Sequence, residues 1–140
     1  MSGKSVWVAT RKGTFRVQKV GGRWQTALAG HSGTSVNYVA RDPNTKRLWA
    51  LLGHGHWGAK LSISDDDGAT WRDNPAQVKY PEGARYIGQD MYEDAASEFG
   101  VGWKTNTRNA TLLKLWVIGF GNDGAIWIGT IPGGLFESRD

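Results

Sequence analysis

Apolar and polar residues alternate in short runs along this chain, and apolar positions at helical spacing are nearly absent. Short runs that are rich in β-branched and aromatic residues and bounded by glycine are typical of β-strands. Such runs occur at Ser5–Thr10, Gly13–Val20, Arg23–Leu28, Ser35–Arg41, Arg47–Gly53, Ala59–Ser64, Thr70–Asp73, Leu112–Phe120, Ala125–Ile131 and Gly134–Ser138. The pattern therefore predicts an all-β protein built from short strands.

Turn-forming residues separate these strands, as in Gly21–Gly22 and Asp67–Gly68. The segment Gly119–Gly124 matches the G-x-G-x-x-G pattern of dinucleotide sites, but the next residues form a strand pattern. A dinucleotide site needs a helix there, so we predict a hairpin turn. The long stretch from 75 to 110 is interpreted as an insertion between strands, within which Asp90–Phe99 is compatible with one short helix.

Three tryptophans, Trp7, Trp49 and Trp127, each lie in a strand of the form apolar-Trp-apolar that a glycine-containing turn and another strand follow. The first two are 42 residues apart, and the last two are 78 apart, which is one similar period plus the insertion. A repeat of ~40 residues with about four strands is typical of a β-propeller blade. The spacing predicts blades that bury their faces by stacking on one another.

The composition limits the choice of function. The chain has 140 residues, enough for one ordinary domain, with 20 glycines and 8 tryptophans. It has no cysteine, which excludes disulfides and thiol chemistry. It has no apolar run of the ~18 residues that a membrane span needs, and its start lacks the pattern of a signal peptide. We expect a cytoplasmic protein that does not enter a membrane. The net charge of +4 is spread along the chain, which disfavours nucleic acid as a partner.

The most specific motif is the segment Ser64–Trp71, which fits S-x-D-x-G-x-T-W and is known as the Asp box. Its serine and aspartate side chains can hold backbone N–H groups of a tight turn, and its glycine can adopt a positive φ. We assign the motif a structural role through Ser64, Asp66, Gly68, Thr70 and Trp71. A calcium site is the alternative, but Ile63 and Asn74 occupy two positions that should be acidic.

With the tryptophan repeat, this motif makes the chain resemble the Asp-box (BNR-repeat), sialidase-like β-propellers of the WD40/YVTN-like class. The match covers Val6–Val17, Val36–Trp71 and Leu115–Asp140. In that family the box is a turn on the periphery, away from the catalytic centre. Ser138 and Asp140 match the start of a second box that lacks its glycine and tryptophan.

The resemblance implies one incomplete propeller domain over residues 1–140, of about two and a half blades. Its expected parts are part of a blade at 5–30, a full blade at 35–74, an insertion at 75–110 and part of a blade at 111–140. Open blade faces and strand edges are adhesive. We therefore expect self-association, or association with the rest of a propeller.

The best candidates for chemistry are His54, His56 and Trp57 in a glycine-rich loop. Histidines two apart point to one side if the segment is extended, where they would face a ligand, bind a metal, or only hydrogen-bond within the loop. A metal site normally needs a third ligand, and nothing in the sequence places His31 nearby. We assign no metal and no cofactor.

Arg11 follows the first strand, near where the resembling sialidases carry the first of three arginines that hold a substrate carboxylate. The R-I-P motif of that arginine is missing, and no acid or nucleophile of the family can be assigned. The first hypothesis is therefore a scaffold that binds a carbohydrate or protein through Arg11, His54, His56 and Trp57. The alternatives are a sialidase-like glycoside hydrolase that is active only in a complete ring, and a truncated product without activity of its own.

Overall fold

The fold is all-β, as predicted. A computed structural model describes residues 5–139 and shows no helix in them. The strands are β1 (Ser5–Thr10), β2 (Gly13–Val20), β3 (Arg23–Gly30), β4 (Ser35–Arg41), β5 (Leu48–His54), β6 (Gly58–Ser64), β7 (Arg72–Asp73), β8 (Arg85–Glu93), β9 (Val101–Asn109), β10 (Lys114–Phe120), β11 (Ile126–Ile131) and β12 (Gly134–Ser138). All ten strands predicted from the sequence are present, with ends that shift by at most two residues. Within residues 5–139, no helix is long and apolar enough to cross a membrane.

The strands form four antiparallel sheets in which neighbours follow one another along the chain. Sheet 1 contains β1, β2 and β3, sheet 2 contains β4 to β7, and sheet 3 contains β10, β11 and β12. The fourth is the two-stranded hairpin of β8 and β9. Consecutive antiparallel neighbours need only tight turns, which the glycine-rich connections supply.

Sheet 2 lies in the middle of the core, between sheets 1 and 3. One of its faces packs on sheet 3 through an apolar cluster, namely Trp49, Leu51, Leu61, Ile63, Leu115, Ile118, Ile126 and Ile128. Its opposite face carries a smaller cluster of Val36, Ala50 and Leu52, against which Ala9 of sheet 1 packs. Because β5 is covered on both faces, residues 48–52 are all buried. That explains why this strand is continuously apolar instead of alternating.

The Gly119–Gly124 segment is a hairpin turn between β10 and β11, as predicted. The N–H of Gly121 donates to the carbonyl of Ala125 at 2.7 Å, and the N–H of Ala125 donates to Asp123 Oδ1 at 3.2 Å. Gly124 has a φ of 83°, a left-handed conformation that glycine adopts without strain. The segment thus reverses the chain within one sheet.

The expected short helix at Asp90–Phe99 is wrong. Residues 85–93 and 101–109 form the paired strands β8 and β9, and the turn between them is closed by the N–H of Asp94 bonding to the carbonyl of Gly100 at 2.9 Å. Alternate residues of the first half of β8 are more buried, which is the period of two of a strand. Pairing with β9 holds residues 90–93 in a strand, and the following residues, 94–100, form the turn.

The chain divides into two compact units. The first comprises Met1–Val78 with Leu112–Asp140, and contains sheets 1 to 3 within its described part. The second is Lys79–Thr111, which contains the β8–β9 hairpin. The residues discussed below as a site all belong to the first unit.

Candidate ligand cleft and the Asp box

A cleft of about 680 Å³ opens in the first unit where several strand ends and loops meet. It is lined by Arg11 after β1, by Ser35–Asn37 at the start of β4, by the end of β5 with the following turn, and by residues 112–114 before and at the start of β10. The lining thus draws on all three stacked sheets. Loops and strand ends on a rigid scaffold are a common location of binding sites.

Arg11 lies in the tight turn between β1 and β2. Thr10 closes this turn, because its hydroxyl donates to the carbonyl of Gly13 at 2.8 Å and accepts from the N–H of Lys12 at 3.1 Å. The turn therefore does not depend on the guanidinium of Arg11, which is exposed and lines the cleft. Among residues 5–139, no hydrogen bond or ion pair engages that guanidinium.

His54 ends β5 and has a structural role besides lining the cleft. Its Nδ1 accepts hydrogen bonds from the backbone N–H of His56 at 3.2 Å and of Trp57 at 3.1 Å. An accepting Nδ1 corresponds to the neutral imidazole with its proton on Nε2. His54 therefore closes the β5–β6 turn through Nδ1, which leaves Nε2–H as the donor of this cleft-lining side chain.

His56 and Trp57 lie in that turn and are not part of the cleft lining. The side chain of Trp57 is 70% exposed, and the His56 ring meets it edge-on with centroids 5.7 Å apart. Strand β5 ends at His54, so residues 54–56 are not extended and the two histidines do not share a strand face. Of the four residues expected from the sequence, the structure brings Arg11 and His54 together at the cleft.

Two residues of the cleft carried no signal in the sequence. Asn37 belongs to sheet 2, and its Nδ2 donates to the carbonyl of Leu115 in sheet 3 at 3.2 Å. Lys114 lines the cleft, and its Nζ lies 4.8 Å from the ring centre of Trp116 in an adjoining groove. They are distant in the sequence from Arg11, so only the stacking of the sheets brings them near it.

The Asp box forms the turn that its sequence predicts. Ser64 Oγ accepts from the N–H of Gly68 at 2.9 Å and donates to Asp66 Oδ1 at 2.8 Å. Asp66 also accepts from the Thr70 N–H at 2.9 Å and from the Thr70 hydroxyl at 2.5 Å. The hydrogen bonds from Thr70 are the main reason that the pKa of Asp66 falls to about 2. Both oxygens of this carboxylate therefore accept hydrogen bonds from within the turn.

The two flanking carboxylates are held by arginines. Asp65 accepts from Arg47 Nε and Arg72 Nη2, both at 2.6 Å, and its pKa is lowered chiefly by the hydrogen bond from Arg47. Asp67 pairs with Arg16 of sheet 1 at 3.0 Å and also with Arg41. These contacts account for the three adjacent carboxylates without a calcium ion. No group of three acidic or histidine side chains suited to a metal occurs within residues 5–139.

Trp71 and Gly68 connect the box to sheet 1. The indole N–H of Trp71 donates to the carbonyl of Ala29 at 2.8 Å, and its ring meets Trp7 edge-on at 6.3 Å. Gly68, with a φ of 81°, lies so close to the Trp7 ring that a Cβ would overlap it. The box is thus a contact between sheets 1 and 2 as well as a turn.

His31 lies apart from the cleft, in the loop between β3 and β4. Its Nδ1 is 2.9 Å from Thr14 Oγ1, and its Nε2 is 2.9 Å from Ser62 Oγ. Its ring contacts the Trp71 ring at a tilt of 60°, with centroids 4.6 Å apart. Burial lowers its pKa, and the opposing charge effect of Asp73 is smaller. His31 is therefore a neutral structural residue that joins two sheets.

The partial second box is described only in part. Ser138 ends β12, whereas Asp140 lies outside the described residues. Between them, Arg139 pairs with Asp123 at 3.0 Å and with Glu137 at 2.7 Å. These ion pairs tie the end of β12 to the β10–β11 turn.

No protein-family model matches this chain, and no curated protein matches it at a significant level. The likeness to the Asp-box propellers therefore rests on the motif Ser64–Trp71 and on the repeat of Trp7, Trp49 and Trp127.

Proposed function

We propose that this chain is a segment of a sialidase-like, Asp-box β-propeller and acts as a scaffold that binds an acidic carbohydrate. The propeller interpretation is supported by three small antiparallel sheets of three, four and three strands, stacked in chain order. It is also supported by the position of the Asp box, which joins β6 to β7. Each feature is expected of consecutive blades.

The charge of the cleft carries the choice of ligand. Its charged lining residues are Arg11 and Lys114, both cationic, and no carboxylate lines it within residues 5–139. His54 adds an Nε2–H donor and Asn37 an amide. Cations and N–H donors are the groups that bind a carboxylate or another anion. An acidic ligand is therefore favoured over a neutral or basic one.

A carbohydrate is favoured by the groove that adjoins the cleft. This groove shares Asn37 and Lys114 with the cleft and is also lined by Tyr38 and Trp116. Tyr38 is 38% exposed and Trp116 is 55% exposed, so both present ring surface to solvent. Aromatic faces beside polar groups suit a sugar ring, which has apolar C–H faces and a polar rim.

Binding is favoured over hydrolysis because the cleft lacks acids. A glycosidase generally needs two carboxyl groups on either side of the bond it breaks. The cleft residues described here offer none, so the hydrolase alternative has no observation in its support. We therefore propose a binding site without catalysis.

The proposal is tested by titrating the protein with sialyllactose and with lactose by isothermal calorimetry. These sugars differ only in the acidic residue, so binding of sialyllactose alone is expected. Arg11→Gln and Lys114→Gln should each weaken binding about tenfold, the effect of losing one charge-assisted hydrogen bond of ~1.4 kcal/mol.

Lys12→Gln is the matched control. Lys12 is exposed, adjoins Arg11 and does not line the cleft. Its variant has the same change in net charge and should bind like the wild type. Equal affinity for lactose, or an equal loss in the Lys12 variant, would show that the cleft does not select an acidic sugar.

A further inference from the structure

The three stacked sheets have a common register that is centred on their tryptophans. In each sheet the tryptophan-bearing strand pairs with the strand that follows it. The residues that pair with the three tryptophans occupy equivalent positions in the three sheets. The pairs are Trp7 with Arg16, Trp49 with Ile63, and Trp127 with Glu137. By the same register, Leu61 of sheet 2 corresponds to Leu135 of sheet 3. The sheets can thus be compared residue by residue.

This register shows that the stack has a direction. Trp7 of sheet 1 faces sheet 2, where it meets Trp71 at 6.3 Å. Trp49 of sheet 2 faces sheet 3, where it belongs to the cluster with Leu115 and Ile118. The tryptophan-bearing faces of sheets 1 and 2 therefore each cover the opposite face of the next sheet along the chain.

Among the described residues of the first unit, no sheet packs on the tryptophan-bearing face of sheet 3. We call it the Trp127 face, and it comprises Val117, Trp127, Ile131 and Leu135. Trp127 is 37% exposed, whereas its counterpart Trp49 is 4% exposed. Leu135 is 69% exposed, whereas its counterpart Leu61 is 3% exposed. The same positions are buried where a following sheet is present.

Sheet 1 has the complementary opening at the other end of the stack. We call it the Val6 face, and it comprises Val6, Val8, Phe15, Val17, Trp24 and Leu28. Val6 is 53% exposed, whereas its counterparts Leu48 and Ile126 are 0% and 9% exposed. Those counterparts are buried because a preceding sheet covers them. The equivalent faces of sheets 2 and 3 are each covered by the tryptophan-bearing face of the preceding sheet. The Val6 face is the equivalent face of sheet 1.

We propose that the Trp127 face of one copy of this chain packs on the Val6 face of a second copy, head to tail. The contact would continue the interface that already joins sheet 1 to sheet 2 and sheet 2 to sheet 3. Contiguous exposed apolar faces of this kind mark association surfaces. The two faces differ, so the contact is heterologous, and the proposed assembly is a closed ring of a small number of copies. This proposal does not depend on what the cleft binds.

The experiment is light scattering after gel filtration, on the wild type and on two single variants. Leu135→Arg alters the Trp127 face, and Val6→Arg alters the Val6 face. Both side chains are more than half exposed, so the variants should keep their fold, which circular dichroism checks. At tens of micromolar, the wild type should run as a discrete small multiple of 15.4 kDa, and each variant alone as a monomer.

Mixing the two variants distinguishes a head-to-tail contact from a symmetric one. The Leu135 variant keeps an intact Val6 face, and the Val6 variant keeps an intact Trp127 face. Their equimolar mixture should therefore form a species of two chains, because one intact pair of faces remains. If one face packed on itself, one variant would stay oligomeric and mixing would restore nothing.

Several outcomes would overturn the proposal. A monomeric wild type at this concentration would show that the faces do not attract each other. An oligomer or aggregate that neither substitution changes would place the contact elsewhere on the chain. Phe99→Arg is the control for loss of an exposed apolar residue outside both faces, since Phe99 is 83% exposed. This variant should keep the mass of the wild type.

Discussion

His31 Nε2 lies 2.9 Å from Ser62 Oγ, so an imidazole in the loop after sheet 1 is bonded to a buried hydroxyl of sheet 2. Ser62 Oγ lies 3.2 Å from the carbonyl of Arg72 and donates to it, which leaves it to accept the proton on His31 Nε2. His31 Nδ1 then accepts from the Thr14 hydroxyl at 2.9 Å. Each partner is satisfied when the ring is neutral, and a second ring proton would deprive the Thr14 hydroxyl of its acceptor.

This arrangement predicts that stability falls as the solution becomes mildly acidic. Burial lowers the pKa of His31 below the value of 6.5 expected when unfolded, so the unfolded chain binds the proton more readily. The contribution of His31 to the free energy of unfolding is therefore complete above a pH of about 6.5, and it is lost as the pH falls through the pKa of the folded state. Urea unfolding midpoints measured at a series of pH values across this range will show the decline.

His31→Asn tests the origin of that decline. Asparagine tolerates the positive φ of 56° at this position and cannot titrate. The variant should be less stable than the wild type near neutral pH, and its midpoint should hardly change with mild acid. His56→Asn, in an exposed turn, is the control and should keep the slope of the wild type. If the urea midpoint of the His31 variant fell with pH as steeply as that of the wild type, His31 would not be the group responsible for the decline.

The Asp box predicts a second effect of pH, in stronger acid. The pKa of Asp66 is about 2 in the fold, against 3.8 for the unperturbed group, and the Thr70 hydroxyl is the largest cause. Its contribution to stability is therefore present above a pH of about 4 and is lost as the pH falls toward 2. Thr70→Val removes that hydroxyl and should raise the pKa of Asp66.

NMR titration of the aspartate carboxyl carbons measures this change directly. In Thr70→Val, acid unfolding should begin at a higher pH than in the wild type. Thr70→Ser keeps a hydroxyl and should restore most of the low pKa. A pKa of Asp66 that is equal in all three proteins would show that the hydroxyl contributes nothing.

Gly68 is predicted to be the least replaceable glycine of the turns. Its φ is 81°, and a Cβ there would overlap the ring of Trp7. Gly22 has a similar φ of 82°, but a Cβ there would meet nothing within 4 Å. Gly22→Ala should cost about 1 kcal/mol of unfolding free energy, from backbone strain alone. Gly68→Ala should cost about 2–4 kcal/mol, because overlap with the indole adds to that strain.

Chemical denaturation of the two glycine variants gives the comparison. Equal losses would mean that Trp7 moves aside without cost. A double variant, Gly68→Ala with Trp7→Leu, should lose less than the sum of the two single losses. That non-additivity is expected of residues in contact.

The two tryptophans at the contact of sheets 1 and 2 should differ in how much their indole N–H groups contribute to the free energy of unfolding. Trp71 Nε1 donates to the carbonyl of Ala29 at 2.8 Å, whereas Trp7 Nε1 is buried with no hydrogen-bond partner among residues 5–139. Phenylalanine removes the N–H and the same volume at each position. Trp71→Phe should therefore cost about 1–2 kcal/mol more than Trp7→Phe. Unfolding free energies decide this, and a larger loss for Trp7→Phe would contradict the hydrogen-bond argument.

Local features of this protein follow from the sequence alone. The strands follow from the alternation of apolar residues, and the Asp-box turn follows from the spacing of Ser64, Asp66, Gly68 and Thr70. Each needs only contacts between residues a few positions apart. The helix expected at Asp90–Phe99 is wrong for the opposite reason. The strand β8 is held by its pairing with β9, which the preferences of neighbouring residues do not encode.

Contacts between sheets were decided only by the tertiary structure. The sequence indicated Arg11 and His54, but it contained no signal for Asn37 and Lys114, which reach the same cleft from sheets 2 and 3. His31 offered no sign of its partners, because Thr14 and Ser62 precede and follow it by 17 and 31 residues. Alternation shows which side chains share a face of a strand. Which face of which sheet they meet depends on how the sheets stack, and that is settled by burying the largest apolar area over the whole unit.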